Sequence, residues 1–429
     1  MQKMTIPYGD DKTIEFEVER NRVVFDGSMK ETAPLENLQD TLRARLDDPI
    51  GCAPVRDMVS SSDRVLILIE DATRTTPVST ILPVLVDYLV DLGLRQEQIE
   101  ILTAPGSHRI LTDDELLEKV GPDLIKRLKI NQHDYKDESS LMTMPSVHIA
   151  GIEIPVQINR KIADFDFIIG IGNIVPHSDA GYSGGAKIFQ PGICGYPTTA
   201  ATHISAAMLD EIPLGVVDNP CRLGMEEVAR RAGLKFIINT VKNYRGEVID
   251  VVAGDFVEAH RLGARVSRDA FSVQMKELAD IVVVSSYPAD LDFWQALKGV
   301  TSAYFAVKPG GFIIFASPCH EGFAQNHPRF HDWLKMSHRE ILEKAKNAPV
   351  DDKSVDLISA VLATCNSRAR ERASILAVSH GLTDFDLEVL GYKRCASVQS
   401  ALDYALKQMP TATIGILPRG GDVLPVLAK

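Results

Sequence analysis

Two histidines, a lysine and several glycines lie close together between residues 172 and 203. The segment reads GNIVPHSDAGYSGGAKIFQPGICGYPTTAATH and follows an apolar run that is typical of a buried strand. His177 and Lys187 are ten residues apart, and His203 follows Lys187 by sixteen residues. Imidazole and amine groups bind anions or metals, transfer protons or become modified covalently. The segment therefore predicts a functional site.

The glycine-rich turn GYSGGAK does not fit two well-known phosphate-binding motifs. A P-loop needs Ser or Thr after its lysine, and Ile188 follows here. The preceding GIGNIV carries two of the three glycines of a dinucleotide-binding fingerprint. Glycines nevertheless let the backbone approach a bound group closely, so the candidate cofactor contacts in this turn are Ser183, Gly184 and Gly185. A structural turn with a solvated lysine is the alternative interpretation.

His203 lies in a predicted helix, PTTAATHIS, without a second metal ligand one turn away. A helical pair of the HExxH type is therefore absent. If His203 binds a metal ion, most of the other ligands must come from a group that is not protein. A packed or solvated histidine is the alternative interpretation.

Two further loops carry polar side chains where a strand gives way to a helix. In DATRTTP, Asp71, Thr73 and Arg74 suit a phosphate or a carboxylate, because hydroxyls, an arginine and a helix N-terminus favour anions. A helix cap with a surface arginine would read the same way. In PGSHR, His108 is either a catalytic base or a histidine without a catalytic role. Ligands of open parallel sheets bind at the carboxyl ends of strands, where both loops are predicted to lie.

The second half of the chain offers fewer candidates. In WQALKG, Gln295 and Lys298 share one face of a helix, and the pair alone is typical of a solvated face. His327 and His331 are four residues apart, but Pro328 lies between them. We predict a solvated surface at these two histidines rather than a metal site.

Composition and charge exclude several classes of protein. The 429 residues carry a formal net charge of −12 and a pI near 5.4, which argues against nucleic acid as a partner. No apolar run approaches the roughly eighteen residues of a membrane span, and polar residues come too early for a secretory signal. The six cysteines are far apart and lack a CxxC pair, which is typical of reduced thiols. We expect a cytoplasmic protein that does not bind membranes.

Apolar runs alternate with amphipathic stretches from residue 63 onward, which predicts parallel sheets covered by helices. The predicted strands are RVLILI, IEILT and FDFIIGIGN, then IVVVSSYP, GGFIIFASP and SILAVSH. TIEFEV and NRVVFDG predict a small antiparallel unit at the start, and a helical stretch over about 256–278 separates the halves. We predict an α/β protein with mainly parallel sheets: a cofactor-binding domain (1–270) and a smaller α/β domain (271–429).

Taken together, the loops resemble the nickel-pincer-nucleotide-dependent lactate racemase family. DATRTTP, PGSHR, NIVPHSDAGYSGGAKIFQPGI with TTAATH, and YPADLDFWQALKG occur in the order and spacing of that family, over nearly the whole chain. The family's fold is two α/β domains with the active site in the cleft between them. Its members invert 2-hydroxy acids, so the resemblance implies an isomerase, a racemase or epimerase whose substrate is a small 2-hydroxy acid.

The resemblance also implies a cofactor, a pyridinium mononucleotide that bears a thioamide and a thiocarboxylate and binds nickel through two sulfurs and one ring carbon. It implies that Lys187 forms the thioamide tether and that His203 is the fourth nickel ligand. A square-planar set of this kind suits Ni(II). Other enzymes would have to make the cofactor and load it into the protein. The oligomeric state stays open.

Roles for the remaining candidates follow from the same resemblance. His108 and His177 are implied to be paired acid and base residues, a task that suits imidazole because it titrates near neutral pH. Asp71 would orient its loop. Hydride transfer from Cα to the cofactor ring would leave a planar 2-keto acid, and return of the hydride to the other face would invert the centre. The side chains implied to contact substrate or cofactor oxygens are those of Arg74, Gln295 and Lys298.

The chain departs from the lactate enzymes of this family near the expected substrate position. Thr75 follows the arginine where proline is usual, and Trp294 precedes the glutamine where tyrosine is usual. We therefore expect the cofactor to be retained and the substrate to be lactate or a larger acid, such as a sugar acid. The alternatives are a nicotinamide-dependent 2-hydroxy acid dehydrogenase and a binding protein for a nucleotide or organic anion.

Overall fold

Strands and helices alternate along most of the chain. The computed structural model describes residues 1–27, 29–149, 151–325 and 327–428. The strands are β1 (Gln2–Pro7), β2 (Thr13–Val18), β3 (Val23–Phe25), β4 (Val65–Ile69), β5 (Ile99–Thr103), β6 (Lys129–Gln132), β7 (Leu141–Ile149), β8 (Ile152–Asn159), β9 (Phe167–Asn173), β10 (Pro176–His177), β11 (Gly181–Tyr182), β12 (Phe236–Lys242), β13 (Val248–Gly254), β14 (Ser272–Met275), β15 (Ala279–Ser285), β16 (Val307–Ala316), β17 (Ala373–Val378), β18 (Lys393–Arg394), β19 (Ile414–Leu417) and β20 (Leu424–Leu427). The helices are α1 (Leu38–Asp47), α2 (Val55–Met58), α3 (Val78–Asp91), α4 (Asp113–Val120), α5 (Leu124–Arg127), α6 (Tyr196–Ala207), α7 (Pro220–Ala232), α8 (Glu258–Phe271), α9 (Phe293–Ala306), α10 (Phe330–Leu334), α11 (His338–Asn347), α12 (Ile358–Arg372), α13 (Asp384–Leu390) and α14 (Val398–Gln408).

The first sheet has the strand order β13-β12-β9-β4-β5-β6. Its strands are parallel except for β13, which runs antiparallel to β12. Every residue of β4 and β9 is buried, because helices and loops cover both faces and leave no solvated side. The loops after β4, β5 and β9 therefore leave the sheet at one edge, which brings the polar residues of these loops together.

The second sheet has the order β18-β17-β16-β15-β19-β3, and its strands are all parallel. Helix α9 follows β15 and begins at Asp292, whose side chain accepts a hydrogen bond from the backbone N–H of Gln295. The predicted α/β fold with mainly parallel sheets is confirmed. Among the described residues, no helix is long and apolar enough to cross a membrane.

The beginning of the chain departs from the predicted antiparallel unit. β1 and β2 form the expected antiparallel pair, but β3 lies at the edge of the second sheet, parallel to β19. Residues on β1 and β2, among them Ile6 and Phe16, pack against the strands of that sheet. β1, β2 and β3 therefore pack with the second half of the chain. The division into 1–270 and 271–429 stays a prediction.

The helix predicted over about 256–278 is shorter in the structure. It ends at Phe271, and the next four residues form β14, which pairs in parallel with β20. Val273 and Met275 are buried while Gln274 between them is exposed, the alternation of a strand. The pairing partner comes from the end of the chain, so a local pattern could not have shown it.

Candidate active site

A pocket with an empty volume of about 1200 Å³ lies where the loops after β4, β5 and β9 meet helices of the second half of the chain. Predicted site residues from all of these loops line it, together with residues of α6, α9 and α12. The predicted residues in the wall are Asp71, Arg74, His108, His177, Ser183, Gly184, Lys187, His203, Gln295 and Lys298. The fold therefore brings together ten positions that are widely separated in sequence.

The glycine turn carries Lys187 into the pocket through a backbone shape that needs glycine. Gly184 and Gly185 have φ values of 72° and 61°, in the left-handed region. A Cβ on Gly184 would lie 2.7 Å from the Asn239 Oδ1 atom, and one on Gly185 would lie 2.8 Å from the His260 ring. Gly185 therefore faces His260, and its N–H donates to Asn239 Oδ1 over 2.7 Å. Gly185 shapes the turn instead of forming the pocket wall.

Buried polar side chains from three elements hold this turn in place. Arg222 of α7 donates to the carbonyls of Ala180 (3.3 Å), Gly184 (2.9 Å) and Tyr182. The His260 Nε2–H of α8 donates to the carbonyl of Ser183 over 2.9 Å. The Ser183 hydroxyl is itself used within the loop, where it donates to the Asn173 carbonyl and accepts from the Val175 N–H. Ser183 therefore offers the pocket its backbone and not a free hydroxyl.

Lys187 and His177 are in direct contact. The lysine Nζ lies 2.6 Å from His177 Nε2, and the backbone N–H of Asp179 donates to His177 Nδ1 over 3.1 Å. Desolvation, and then the positive charge of Arg74, lowers the pKa of Lys187 to about 7. Desolvation and the neighbouring lysine hold the pKa of His177 well below its usual value. At neutral pH His177 is therefore neutral, and a large share of Lys187 is the unprotonated amine.

His108 is oriented by a carboxylate. Its Nδ1 lies 2.6 Å from Asp71 Oδ2, and the Thr73 hydroxyl donates to Asp71 Oδ1 over 2.7 Å. Burial alone would raise the pKa of Asp71, but the charge and hydrogen bond of His108, with Arg74, lower it well below its usual value. The ionised carboxylate fixes the histidine proton on Nδ1 and leaves the Nε2 lone pair free to accept a proton. The Thr73 hydroxyl helps to hold the Asp71 carboxylate in place.

His203 also has one ring nitrogen engaged. Its Nδ1 lies 2.7 Å from the carbonyl oxygen of Thr199, one turn earlier in α6. Because a carbonyl only accepts, Nδ1 carries the proton and Nε2 keeps its lone pair, the form in which histidine binds a metal. In the described part of the chain, no group of three His, Cys, Asp or Glu side chains is arranged to hold a metal ion. A metal at His203 would need other donors.

Helix α9 contributes a lysine and an amide to the opposite wall. Lys298 Nζ donates to Gln295 Oε1 over 2.6 Å. Desolvation, and then the charge of Arg74, lowers the pKa of Lys298 to about 7. Arg74 and Lys298 thus form a cationic region that suits an anion such as a carboxylate. The pair on α9 belongs to the pocket and not to a solvated face.

The prediction of a solvated surface at His327 and His331 is wrong. His327 is only 5% exposed. Its ring stacks on Trp294 with centroids 3.7 Å apart, and its Nδ1 lies 3.2 Å from Asp356. His331 Nε2 lies 2.8 Å from Asp386. The two acids lie 29 and 55 residues further along the chain, so no local sequence pattern shows these contacts.

Several pocket residues were not singled out from the sequence. Glu70 directly follows β4, lines the pocket and accepts a hydrogen bond from the Thr76 hydroxyl; burial raises its pKa. Asp179 and Asn239 line the pocket as well. Glu70 and Asp179 are in the segments that carry the site, so their position after a strand was an available signal. Asn239 lies within β12, and nothing in its local pattern marks it.

Comparison with known proteins finds matches over most of the chain. Residues 8–212 match the family model described as the lactate racemase N-terminal domain, and residues 274–424 match that of the lactate racemase C-terminal domain. The structure is similar to that of the lactate racemase apoprotein from Thermoanaerobacterium thermosaccharolyticum, with a TM-score of 0.88 at 25% identity over 99% of this chain and 100% of that one. A protein from Thermotoga maritima shares the fold, with a TM-score of 0.71 at 22% identity over 93% and 100% of the two chains.

Curated relatives give the same result. The chain is 30% identical over 343 residues to the lactate racemase of Thermoanaerobacterium thermosaccharolyticum, which is 79% of either chain. It is 32% identical over 317 residues to the lactate racemase of Lactiplantibacillus plantarum, 72% of this chain and 73% of that one. Racemases are isomerases, and the predicted class of enzyme is confirmed. The chain belongs to the lactate racemase family.

Proposed function

We propose that the protein inverts C2 of a 2-hydroxy acid with a nickel-pincer nucleotide tethered to Lys187. The observation that carries this proposal is the convergence of Lys187, His203 and the two histidines His108 and His177 on one pocket between the two halves of the chain. Arg74, on the loop after β4, and Lys298, on α9 at the opposite wall, supply the site for a carboxylate.

The residues present fit the proposed cofactor. Lys187 provides an amine inside the pocket, and His203 provides an Nε2 lone pair whose orientation is fixed by the Thr199 carbonyl. A single protein ligand fits a metal whose other donors belong to the nucleotide. When bound, the nucleotide would supply reversible acceptance of the hydride from Cα, which avoids a carbanion beside a carboxylate. Loading of the cofactor by separate enzymes is part of the proposal.

Substrate binding is assigned to Arg74 and Lys298. The Arg74 guanidinium and the Lys298 amine would hold the substrate carboxylate and so fix the direction of the Cα–H bond. Gln295 accepts from Lys298 and keeps its own amide N–H groups for an oxygen of the substrate or cofactor. The charge of Arg74 helps to lower the pKa of Lys298, and a bound carboxylate would relieve this repulsion.

Proton transfer at the substrate hydroxyl is assigned to the two histidines. In His108, the Nε2 lone pair can take the proton while Asp71 stabilises the imidazolium that forms. His177 would serve the opposite enantiomer in the loaded enzyme, where Lys187 Nζ is bonded to the cofactor. The ring would then carry its proton on Nδ1 and present the Nε2 lone pair, and it would give up the Asp179 N–H contact of the cofactor-free protein. One histidine would thus serve each enantiomer.

The substrate is lactate or a larger 2-hydroxy acid. Trp294 lines the pocket beside Gln295 and is held by its stacking on His327, so this part of the wall is both bulky and fixed. The test is chiral chromatography of a panel from lactate through malate to gluconate after incubation with cofactor-loaded enzyme. Inversion without added nicotinamide supports the proposal. A requirement for NAD with spectral turnover of NADH, or no inversion of any acid in the panel, contradicts it.

A further inference from the structure

Both ring nitrogens of His177 are engaged, and one of these contacts has a fixed direction. The backbone N–H of Asp179 points at Nδ1 over 3.1 Å. A backbone amide nitrogen can only donate, so Nδ1 must be the unprotonated nitrogen. A neutral imidazole carries one proton and one lone pair. The proton of His177 is therefore on Nε2, the atom that lies 2.6 Å from Lys187 Nζ.

This proton determines the state of the lysine. An ammonium group has three donors and no acceptor, so it cannot accept a hydrogen bond from the His177 Nε2–H. An ammonium that donated to Nε2 would require lone pairs on both ring nitrogens, which a neutral imidazole does not have. An unprotonated amine, with its lone pair directed at Nε2–H, is the form of Lys187 that satisfies both contacts.

We propose that Lys187 stands in the cofactor-free protein as an unprotonated amine held by His177, and that it is therefore a nucleophile at neutral pH. The arrangement is set by the main chain at Asp179, so it does not depend on a side-chain carboxylate. It gives His177 a positioning task before any cofactor is attached.

The charges around Lys187 agree with a neutral amine. Among the residues that the structure describes, Lys187 makes no ion pair, and the Asp179 carboxylate accepts from Ser178 instead. Desolvation is the first cause that lowers the pKa of Lys187, followed by the charge of Arg74. The other titratable or charged groups that act on Lys187 are His177 and Asp179 after β9, His203 on α6, Cys221 and Arg222 on α7, and Lys298 on α9.

Two other lysines near the pocket show the contrast. Lys298 donates to the amide oxygen of Gln295, and Lys119 donates to the carbonyls of Asp71 (2.9 Å) and Arg74 (2.6 Å). Oxygens of this kind only accept, so both contacts fit an ammonium group. Lys187 faces a nitrogen that carries a proton, and in this it differs from both.

A neutral amine in this position suits an electrophilic carboxyl or thiocarboxyl carbon. Its lone pair would form the N–C bond, a C–O bond would break, and the oxygen would leave as water with one amine proton and the acid proton. The tether on Lys187 is a bond of this kind, so this use of the amine rests on the proposed function. The protonation state itself does not.

Nitrogen-15 NMR of cofactor-free protein labelled on histidine tests the tautomer directly. Long-range proton–nitrogen spectra distinguish Nε2–H from Nδ1–H, and the His177 signals are those that disappear in His177→Gln. We expect the Nε2–H form for His177 at neutral pH and the Nδ1–H form for His203, whose Nδ1 faces a carbonyl. An Nδ1–H form or an imidazolium at His177 would overturn the proposal.

Carbamylation by cyanate tests the amine. Isocyanic acid adds only to unprotonated amines: the N–C bond forms, and one amine proton moves to the cyanate nitrogen to give a urea. The pH midpoint of the rate, read by peptide mass spectrometry, does not depend on how accessible the lysine is. We expect a midpoint near 7 for Lys187, against about 10.4 for the side chain of free Nα-acetyl-lysine treated in parallel.

The variant His177→Phe removes the N–H that stabilises the neutral amine. The midpoint at Lys187 should rise by about 0.7 pH units, because one hydrogen bond stabilises a group by roughly 1 kcal/mol and one unit corresponds to about 1.4 kcal/mol. Equal midpoints for Lys187 and acetyl-lysine, or no shift in a folded His177→Phe protein, contradict the inference. Neither experiment uses racemisation, so failure of the proposed function would leave both results unaffected.

Discussion

His108 and His177 face the same pocket, but different groups hold their Nδ1 atoms. In His108 the partner is the Asp71 carboxylate, which accepts. In His177 it is the backbone N–H of Asp179, which donates. The Nε2 atom of His108 is therefore a lone pair, whereas that of His177 carries a proton. Two histidines that follow β5 and β9, strands of one sheet that β4 separates, therefore carry their protons on opposite ring nitrogens.

Replacement of either histidine should produce the largest effect. In loaded enzyme, His108→Asn and His177→Asn should each lower kcat by about 10²–10⁴-fold, the usual contribution of a general acid or base. The two variants should lower kcat more strongly in opposite directions, as measured with saturating amounts of each pure enantiomer, because the equilibrium constant fixes the ratio of kcat/KM between the directions. Equal losses of kcat in both directions for both variants would contradict the assignment of one histidine to each enantiomer.

Asp71→Asn should have a smaller effect that is confined to His108. The amide keeps the shape of the side chain but cannot stabilise an imidazolium by charge, and partners of this kind contribute about 10–100-fold. The loss should appear in kcat, with the direction served by His108 affected most. Asp179→Asn is the matched control, because His177 is held by the main chain at 179. A larger effect on the direction served by His177 would refute the contrast between the two sites.

The stability of the cofactor-free protein should depend on pH in a way that reflects the lowered pKa of Lys187. The folded pKa of Lys187, about 7, lies below the unfolded value of about 10.4, so the unfolded chain binds more protons between these two values. The stability of the protein relative to Lys187→Met should therefore rise between pH 7 and 10, by at most about 1.4 kcal/mol, or tenfold in the unfolding equilibrium, per pH unit. Urea unfolding at several pH values measures it, and a difference that does not change between pH 7 and 10 would contradict the lowered pKa of Lys187.

Thr73→Val should give the smallest change. It removes the hydroxyl that donates to Asp71 over 2.7 Å and leaves the carboxylate and His108 in place. One hydrogen bond contributes about 1 kcal/mol, which corresponds to about a fivefold loss in kcat/KM. Thr73→Ser should recover most of the activity. A Thr73→Ser variant as impaired as Thr73→Val would show that the methyl group matters and not the hydroxyl.

Local patterns predicted the elements of the sheets well. RVLILI and IEILT form β4 and β5, because continuous apolar runs reflect burial directly. The site loops were predictable for the same reason, since each follows a strand. Contacts between residues far apart in the sequence were not predictable, such as the pairing of β14 with β20 and the contact of His327 with Asp356. The contact of Lys187 with His177 depends on a backbone direction at Asp179 that no spacing encodes.

The position of β3 has a consequence for any attempt to express the halves separately. A fragment that begins at residue 271 would lack β3, so the main-chain groups of β19 on that side would have no partner strand. It would also lose Ile6, Phe16 and Val18, which cover apolar residues of the same sheet. An exposed edge strand of this kind tends to pair with strands of other chains. A circular permutant that joins residue 429 to residue 1 and has its new termini elsewhere would keep β3 paired with β19.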